Sequence, residues 1–182
     1  MQRLVDIVLS SFGLLFGAPL LLAVLLVCWF DTGSPLFRQV RLGRFQRPFV
    51  LIKFRSMRVG TASVVSHRAD PNAVTRVGRF LRRTKLDELP QLWNVLTGDM
   101  SLVGPRPGLP DHQELTEARQ RSGVFAVRPG ITGLAQLRGV DMSDPQRLAT
   151  VDSEMIADLT LSRYAGFILA TVVGQGSGDR VA

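Results

Sequence analysis

Two acids stand side by side at Asp87 and Glu88, inside "TKLDELPQLWNVL" (84–96), in a strongly basic stretch of chain. Between Arg38 and Lys85 there are thirteen Lys and Arg residues and one acid, Asp70. Leu89, Leu92, Trp93 and Leu96 follow at the i, i+3, i+4, i+7 spacing of one helical face, and Gly98 is a natural stop. Pro90 belongs in a first turn, where no backbone donor is needed, so the spacing predicts Asp87 at or near the N-cap. Two readings compete. In the first, Asp87 caps the helix and Glu88 complements its dipole. In the second, the cations keep Asp87 ionised and also hold phosphates, so that a carboxylate faces phosphorus as a nucleophile. Glu88 would then hold a divalent metal that screens the repulsion between anions.

Other polar clusters fit phosphate binding, although each also has an ordinary structural role. "KFRSM" (53–57) puts Lys53 and Arg55 on one face of a strand. "GPRP" (104–107) holds Arg106 between prolines that pre-set its backbone. "RPGITG" (128–133) offers Arg128 with free amides around glycines. His67 and His112 are isolated, without metal-ligand spacing, and are expected at the surface.

The elements that must position these residues begin with an apolar segment. Ile7 to Phe30 carries no charge. As a helix it would be about 36 Å long, against about 30 Å of hydrocarbon. A signal peptide fits poorly, since its apolar region is about 7–15 residues and is followed by a cleavage site. A buried soluble helix of this length without charge is rare. Membrane embedding is the better reading, with the basic residues after Phe37 placing the body in the cytoplasm. Pro19, preceded by Ala18, interrupts the segment and opens a hairpin that returns to its own face as an alternative to a simple span.

After the breaker "TGSP" (32–35), "PLFRQVRL" and "PFVLIKF" predict a β-hairpin around "GRFQR". Residues 59–73 read as a mobile loop and 75–85 as a basic amphipathic helix with Val77, Phe80 and Leu81 inward. Residues 101–110 and 127–139 read as stiff Gly/Pro loops, 111–123 as a polar helix, and the stretch from Asp144 as helical with a loose tail from Gly174. The expected class is α+β, mostly helical, with a membrane part at 1–34 and a catalytic body at 35–182. The net charge of +7 calls for an anionic partner. A basic adaptor on anionic lipid is one competing reading. Nucleic-acid binding is another, but no aromatic platform or known motif supports it. Cys28, the single cysteine, excludes an internal disulfide framework.

"SPLFRQVRLG", "KFRSM", "TRVGRFLRRTKLDELPQLWNVLTGDMSLVGPRP" and "RPGITGLAQLRG", in this order, resemble the small monotopic phosphoglycosyl transferases of the bacterial sugar transferase family. The resemblance runs from about Arg3 to Val173. It implies transfer of a sugar-1-phosphate from a UDP-sugar to undecaprenyl phosphate, with release of UMP, on the cytoplasmic face of the bacterial inner membrane. It implies a re-entrant helix-break-helix at Ala18-Pro19, where the family commonly has Ser-Pro. By position Asp87 matches the family nucleophile, which carries the phosphosugar covalently, and Glu88 its Mg²⁺-associated partner. Lys53, Arg55, Arg106 and Arg128 match positions suspected of gripping phosphates or nucleotide. Short members often use N-acetylated hexosamines, larger ones glucose or galactose, so an N-acetylated donor is expected.

Overall fold

The computed structural model describes residues 1–61 and 70–175. His67 and most of the expected mobile loop and loose tail lie outside the described residues. The apolar segment forms two helices, α1 (Gln2–Phe16) and α2 (Ala18–Thr32), bent by 64°. The break falls at Gly17, one residue before the expected Ala18-Pro19. Ala18 and Pro19 instead open α2, where the proline's missing donor and fixed φ favour a helix start. No single described helix is long and apolar enough to cross a membrane. The pair leaves Leu4, Val8, Phe12, Leu15, Phe16, Leu22, Trp29 and Phe30 exposed. So much apolar surface in water would be costly.

Both arms dock on one body. At the start of α1, buried Asp6 accepts from Leu102 N at 2.9 Å, from Ser101 Oγ at 2.9 Å and from the Tyr164 hydroxyl. Near the end of α2, Val24 and Cys28 pack with Phe54 and Leu81. Asp31 accepts from Thr75 Oγ1 at 2.6 Å.

The expected hairpin is present as β1 (Leu36–Leu42) antiparallel to β2 (Pro48–Phe54), in register from Leu36↔Phe54 to Leu42↔Pro48. α3 (Arg76–Thr84) follows, capped by Thr75 Oγ1 on Gly78 N. Its Leu81 is buried, but Phe80, expected inward, is 51% exposed. Gly78 lets α3 touch the hairpin's exit. A Cβ there would stand 1.9 Å from Ser56 O.

α4 (Gln91–Thr97) is shorter than expected, and Pro90 itself holds its N-cap position. Its buried face is Gln91, Asn94 and Val95, whereas Trp93 is exposed. The Leu89, Leu92, Trp93, Leu96 line lies to one side, and α1 packs along the helix near Leu92.

The loops expected at 101–110 and 127–139 contain a second small sheet. β3 (Ser101–Val103) pairs in parallel with β4 (Gly130–Thr132), register Ser101↔Gly130. Three-residue strands among glycines and prolines leave no alternation to detect. Gly104 and Gly130 allow the contact, since a Cβ on Gly130 would lie 2.0 Å from Gly104 N.

The rest is helical: α5 (Gln113–Arg121), the short α6 (Leu134–Leu137), α7 (Pro145–Ala157) and α8 (Leu161–Val172). The expected helical C-terminal region is thus two helices, each with a capping side chain, Asp144 and Thr160. The main core gathers Met100, Leu102, Leu115, Leu148, Met155 and Tyr164. The class is mostly helical with two small sheets rather than one hairpin.

Candidate active site

Asp87 and Glu88 lie in a single 3-10 turn, Leu86–Glu88, between α3 and α4. Lys85 creates that turn. Its left-handed backbone, φ 59°, ends α3 and redirects the chain. Neither acid occupies the N-cap position, which Pro90 holds; both lie in the turn just before α4. Both are buried, Asp87 at 1% and Glu88 at 7% exposure. Burying two adjacent carboxylates is expensive unless charge and hydrogen bonds compensate. Arg106 supplies part of that, its Nη2 donating to Glu88 Oε1 at 2.8 Å. The Lys85 ammonium is also close. Burial lowers its pKa, Arg106 pushes the same way and Glu88 opposes them.

Arg106 sits on a loop whose backbone is held at four successive carbonyls. Pro105 O accepts from Gly130 N at 2.9 Å, Arg106 O from Arg119 Nη1 at 2.7 Å, Pro107 O from Arg41 Nη1 at 3.1 Å and Gly108 O from Leu42 N at 3.0 Å. Arg119 is itself buried and fixed by Asp152, with Nε and Nη2 donating to Oδ2 at 3.0 and 2.7 Å. Burial pushes Asp152 upward in pKa, and Arg119 pulls it back. The loop therefore presents the Arg106 guanidinium with little left to order on binding.

β2 packs against the acid turn and carries Lys53, which is buried at 8% exposure and lies 5.7 Å from the Phe37 ring centroid. Asn94 clamps α4 to this strand, accepting from Ile52 N at 3.1 Å and donating to Val50 O at 2.8 Å. Arg55 flanks the same Phe37 ring at 5.5 Å, so Lys53 and Arg55 do share a side. Arg55 also donates to Ser34 O at 2.9 Å and Leu36 O at 3.3 Å, which ties the exit of α2 to the hairpin. Asp87 lies within electrostatic reach of Cys28 on α2, so the acid turn sits where the bent pair meets the body.

Arg128 is elsewhere. Its Nε donates to Gly98 O at 2.8 Å, at the C-terminal end of α4. The acids precede the other end, about 10 Å away along a seven-residue helix. His112 is half-buried just before α5.

Among the described residues, no three His, Cys, Asp or Glu side chains converge as a metal cage. Asp87 and Glu88 offer an adjacent carboxylate pair, with Arg106 on Oε1 of Glu88. Such a pair suits Mg²⁺ when phosphate oxygens and water complete its shell. Chemically, a buried carboxylate beside cations is an arrangement that can act on a phosphate.

Sequence reasoning missed Lys85, Arg119, Asp152 and Asn94. The Lys-Leu-Asp-Glu adjacency carried a usable signal for Lys85. The ion pair between Arg119 and Asp152 spans 33 positions, and nothing local marks it.

A family model described as bacterial sugar transferase matches residues 1–175. A Caulobacter vibrioides protein named UDP-glucose:undecaprenyl-phosphate glucose-1-phosphate transferase is 40% identical, across 94% of this chain and 68% of the relative. An Escherichia coli protein of the same name is 45% identical, across 76% of this chain and 31% of the relative. An Erwinia amylovora UDP-galactose-lipid carrier transferase is 40% identical, across 94% of this chain and 39% of the relative. The chain therefore spans about two thirds of the first relative and well under half of the other two.

Proposed function

Because the chain belongs to the bacterial sugar transferase family, we propose that it moves a sugar-1-phosphate from a UDP-sugar to undecaprenyl phosphate and releases UMP. The observation that carries this reading is the buried Asp87–Glu88 turn with Arg106 on Glu88 at 2.8 Å. An Asp87 oxygen attacks the phosphorus that bears the sugar, and the bond to the UMP oxygen breaks. The sugar-phosphate is then held on Asp87 as a mixed anhydride. An oxygen of undecaprenyl phosphate attacks the same phosphorus, the bond to Asp87 breaks, and the polyprenyl diphosphosugar leaves. Arg106, Lys85 and Lys53 supply positive charge to the phosphates. Arg55 braces the strand that carries Lys53. Glu88 would hold Mg²⁺, which when bound would neutralise phosphate charge.

Relatives whose names give a sugar name glucose or galactose, so UDP-glucose is the first donor to test. Those names lend no support to the N-acetylated hexosamine expected from chain length. The acceptor is membrane-bound, and the exposed apolar faces of α1 and α2 support work at the inner face of the bacterial plasma membrane. A purely lipid-binding basic adaptor would have no use for a buried acid pair beside three cations.

The test is incubation of the purified protein with UDP-glucose alone, followed by intact-protein mass spectrometry. One added hexose-phosphate is expected on the wild type and none on Asp87→Asn. An unmodified wild type that turns over with ternary-complex kinetics would replace the covalent route with direct transfer.

A further inference from the structure

A cavity of about 530 Å³ lies between the start of α1, the hairpin turn and the segment before β4. Neither the two acids nor Lys53, Lys85 or Arg106 lines it, but Arg3, Arg44 and Arg128 do. Arg44 Nε donates to Ala126 O and Arg128 Nε to Gly98 O, both at 2.8 Å. Each guanidinium is thereby anchored by its inner nitrogen, leaving its two outer amino groups for a ligand. Arg3 spends both of its outer groups on Val95 O and Leu96 O, the carbonyl end of α4, and contributes charge. The single acid on the wall is Asp6, 1% exposed and engaged by Ser101, Leu102 and Tyr164. The cavity is therefore cationic. The remaining wall includes Val103, Ile156 and Leu161.

Leu161 is 42% exposed at this cavity. Arg3 stands one residue before Leu4, where the exposed apolar face of α1 begins and runs on through Ile7 and Val8. The cationic cavity thus borders the apolar face of α1 through Arg3. Planar guanidinium forks match phosphate oxygens in pairs, and the volume lies in the range of small-ligand sites. We propose that this cavity binds the phosphodiester headgroup of an anionic phospholipid, seating the start of α1 at the membrane surface. The site is separate from the acid turn and does not depend on the sugar-transfer reading.

The full chain in neutral detergent, examined by native mass spectrometry, tests this with three probes: phosphatidylglycerol, phosphatidylcholine and inorganic phosphate. The wild type should retain one phosphatidylglycerol and discriminate against phosphatidylcholine. Arg44 is exposed in the hairpin turn, so Arg44→Glu should fold, and circular dichroism checks that it does. Its retention of phosphatidylglycerol should fall roughly tenfold or more. UMP release in neutral micelles should be unchanged. Arg44→Ala, which adds no charge, should show the same direction. Equal retention by wild type and both variants would overturn the proposal, as would equal retention of the two lipids. Inorganic phosphate held as firmly as phosphatidylglycerol would overturn the lipid assignment.

Discussion

Asp87→Asn preserves the shape of the side chain and removes nearly all of its nucleophilicity. If Asp87 carries the phosphosugar, UMP release should fall by roughly a thousandfold or more while the fold is kept. A continuous UMP assay beside a circular dichroism spectrum separates the two outcomes. Arg106→Ala should cost roughly a hundredfold in kcat/KM, the loss expected when one oriented donor to a phosphate is removed. The same change leaves Glu88 buried without its guanidinium. Arg106→Lys should recover only part of the loss, since an ammonium restores charge but not the planar fork. At this scale the acid pair was legible, because two adjacent acids in a basic stretch stand out by type alone. Lys53 was singled out by the strand period and Arg106 by its flanking prolines, and the structure puts β2 against the acid turn and Arg106 on Glu88. The sequence did not tell where Arg128 sits, because a cation beside glycines looks alike whether it faces a phosphate or a helix end. Its Gly98 partner is 30 positions away.

Among the elements, the hairpin and α3 follow from local pattern, and β3 and β4 do not. Their pairing is set by glycine-to-glycine contact between segments about 30 residues apart, and no periodicity encodes that. The same holds for the support beneath the Arg106 loop. Arg119 on α5 and Asp152 on α7 form a buried ion pair, and Arg119 also holds Arg106 O. Breaking such a pair strands a buried charge, so Asp152→Ala should cost about 3–5 kcal/mol of stability. Replacing both partners with apolar residues of similar volume often restores stability. The double variant Arg119→Met/Asp152→Leu should therefore recover much of the thermal midpoint in detergent. It should not recover activity, since Arg106 O still lacks its donor. Full recovery of both would reduce the pair to ordinary packing.

For the whole molecule, the bent pair would decide how the chain meets a membrane under the proposed function. Each arm has fifteen residues and is about 22 Å long, short of the roughly 30 Å of hydrocarbon. A continuous thirty-residue helix would carry its ends about 45 Å apart. Here both ends are tied to one body. The α1 end is held through Asp6 and Arg3, and the α2 end through Cys28 and the Asp31–Thr75 contact. Charge pattern and Pro19 opened this geometry but could not choose it, because the anchors at Ser101, Tyr164 and Phe54 are remote in sequence. A body confined to the cytoplasm would place both ends there, making the pair re-entrant. Gln2 lies at the α1 end, its Nε2 donating to Leu159 O at 3.3 Å. A cysteine at position 2 should therefore resist a membrane-impermeant maleimide in intact cells and react once the inner membrane is permeabilised. Cys28, fully buried, supplies the background. Efficient labelling of position 2 in intact cells would put that end outside and require the pair to span. That result would also require the Asp6 contacts to Ser101 and Leu102 to be broken in the membrane.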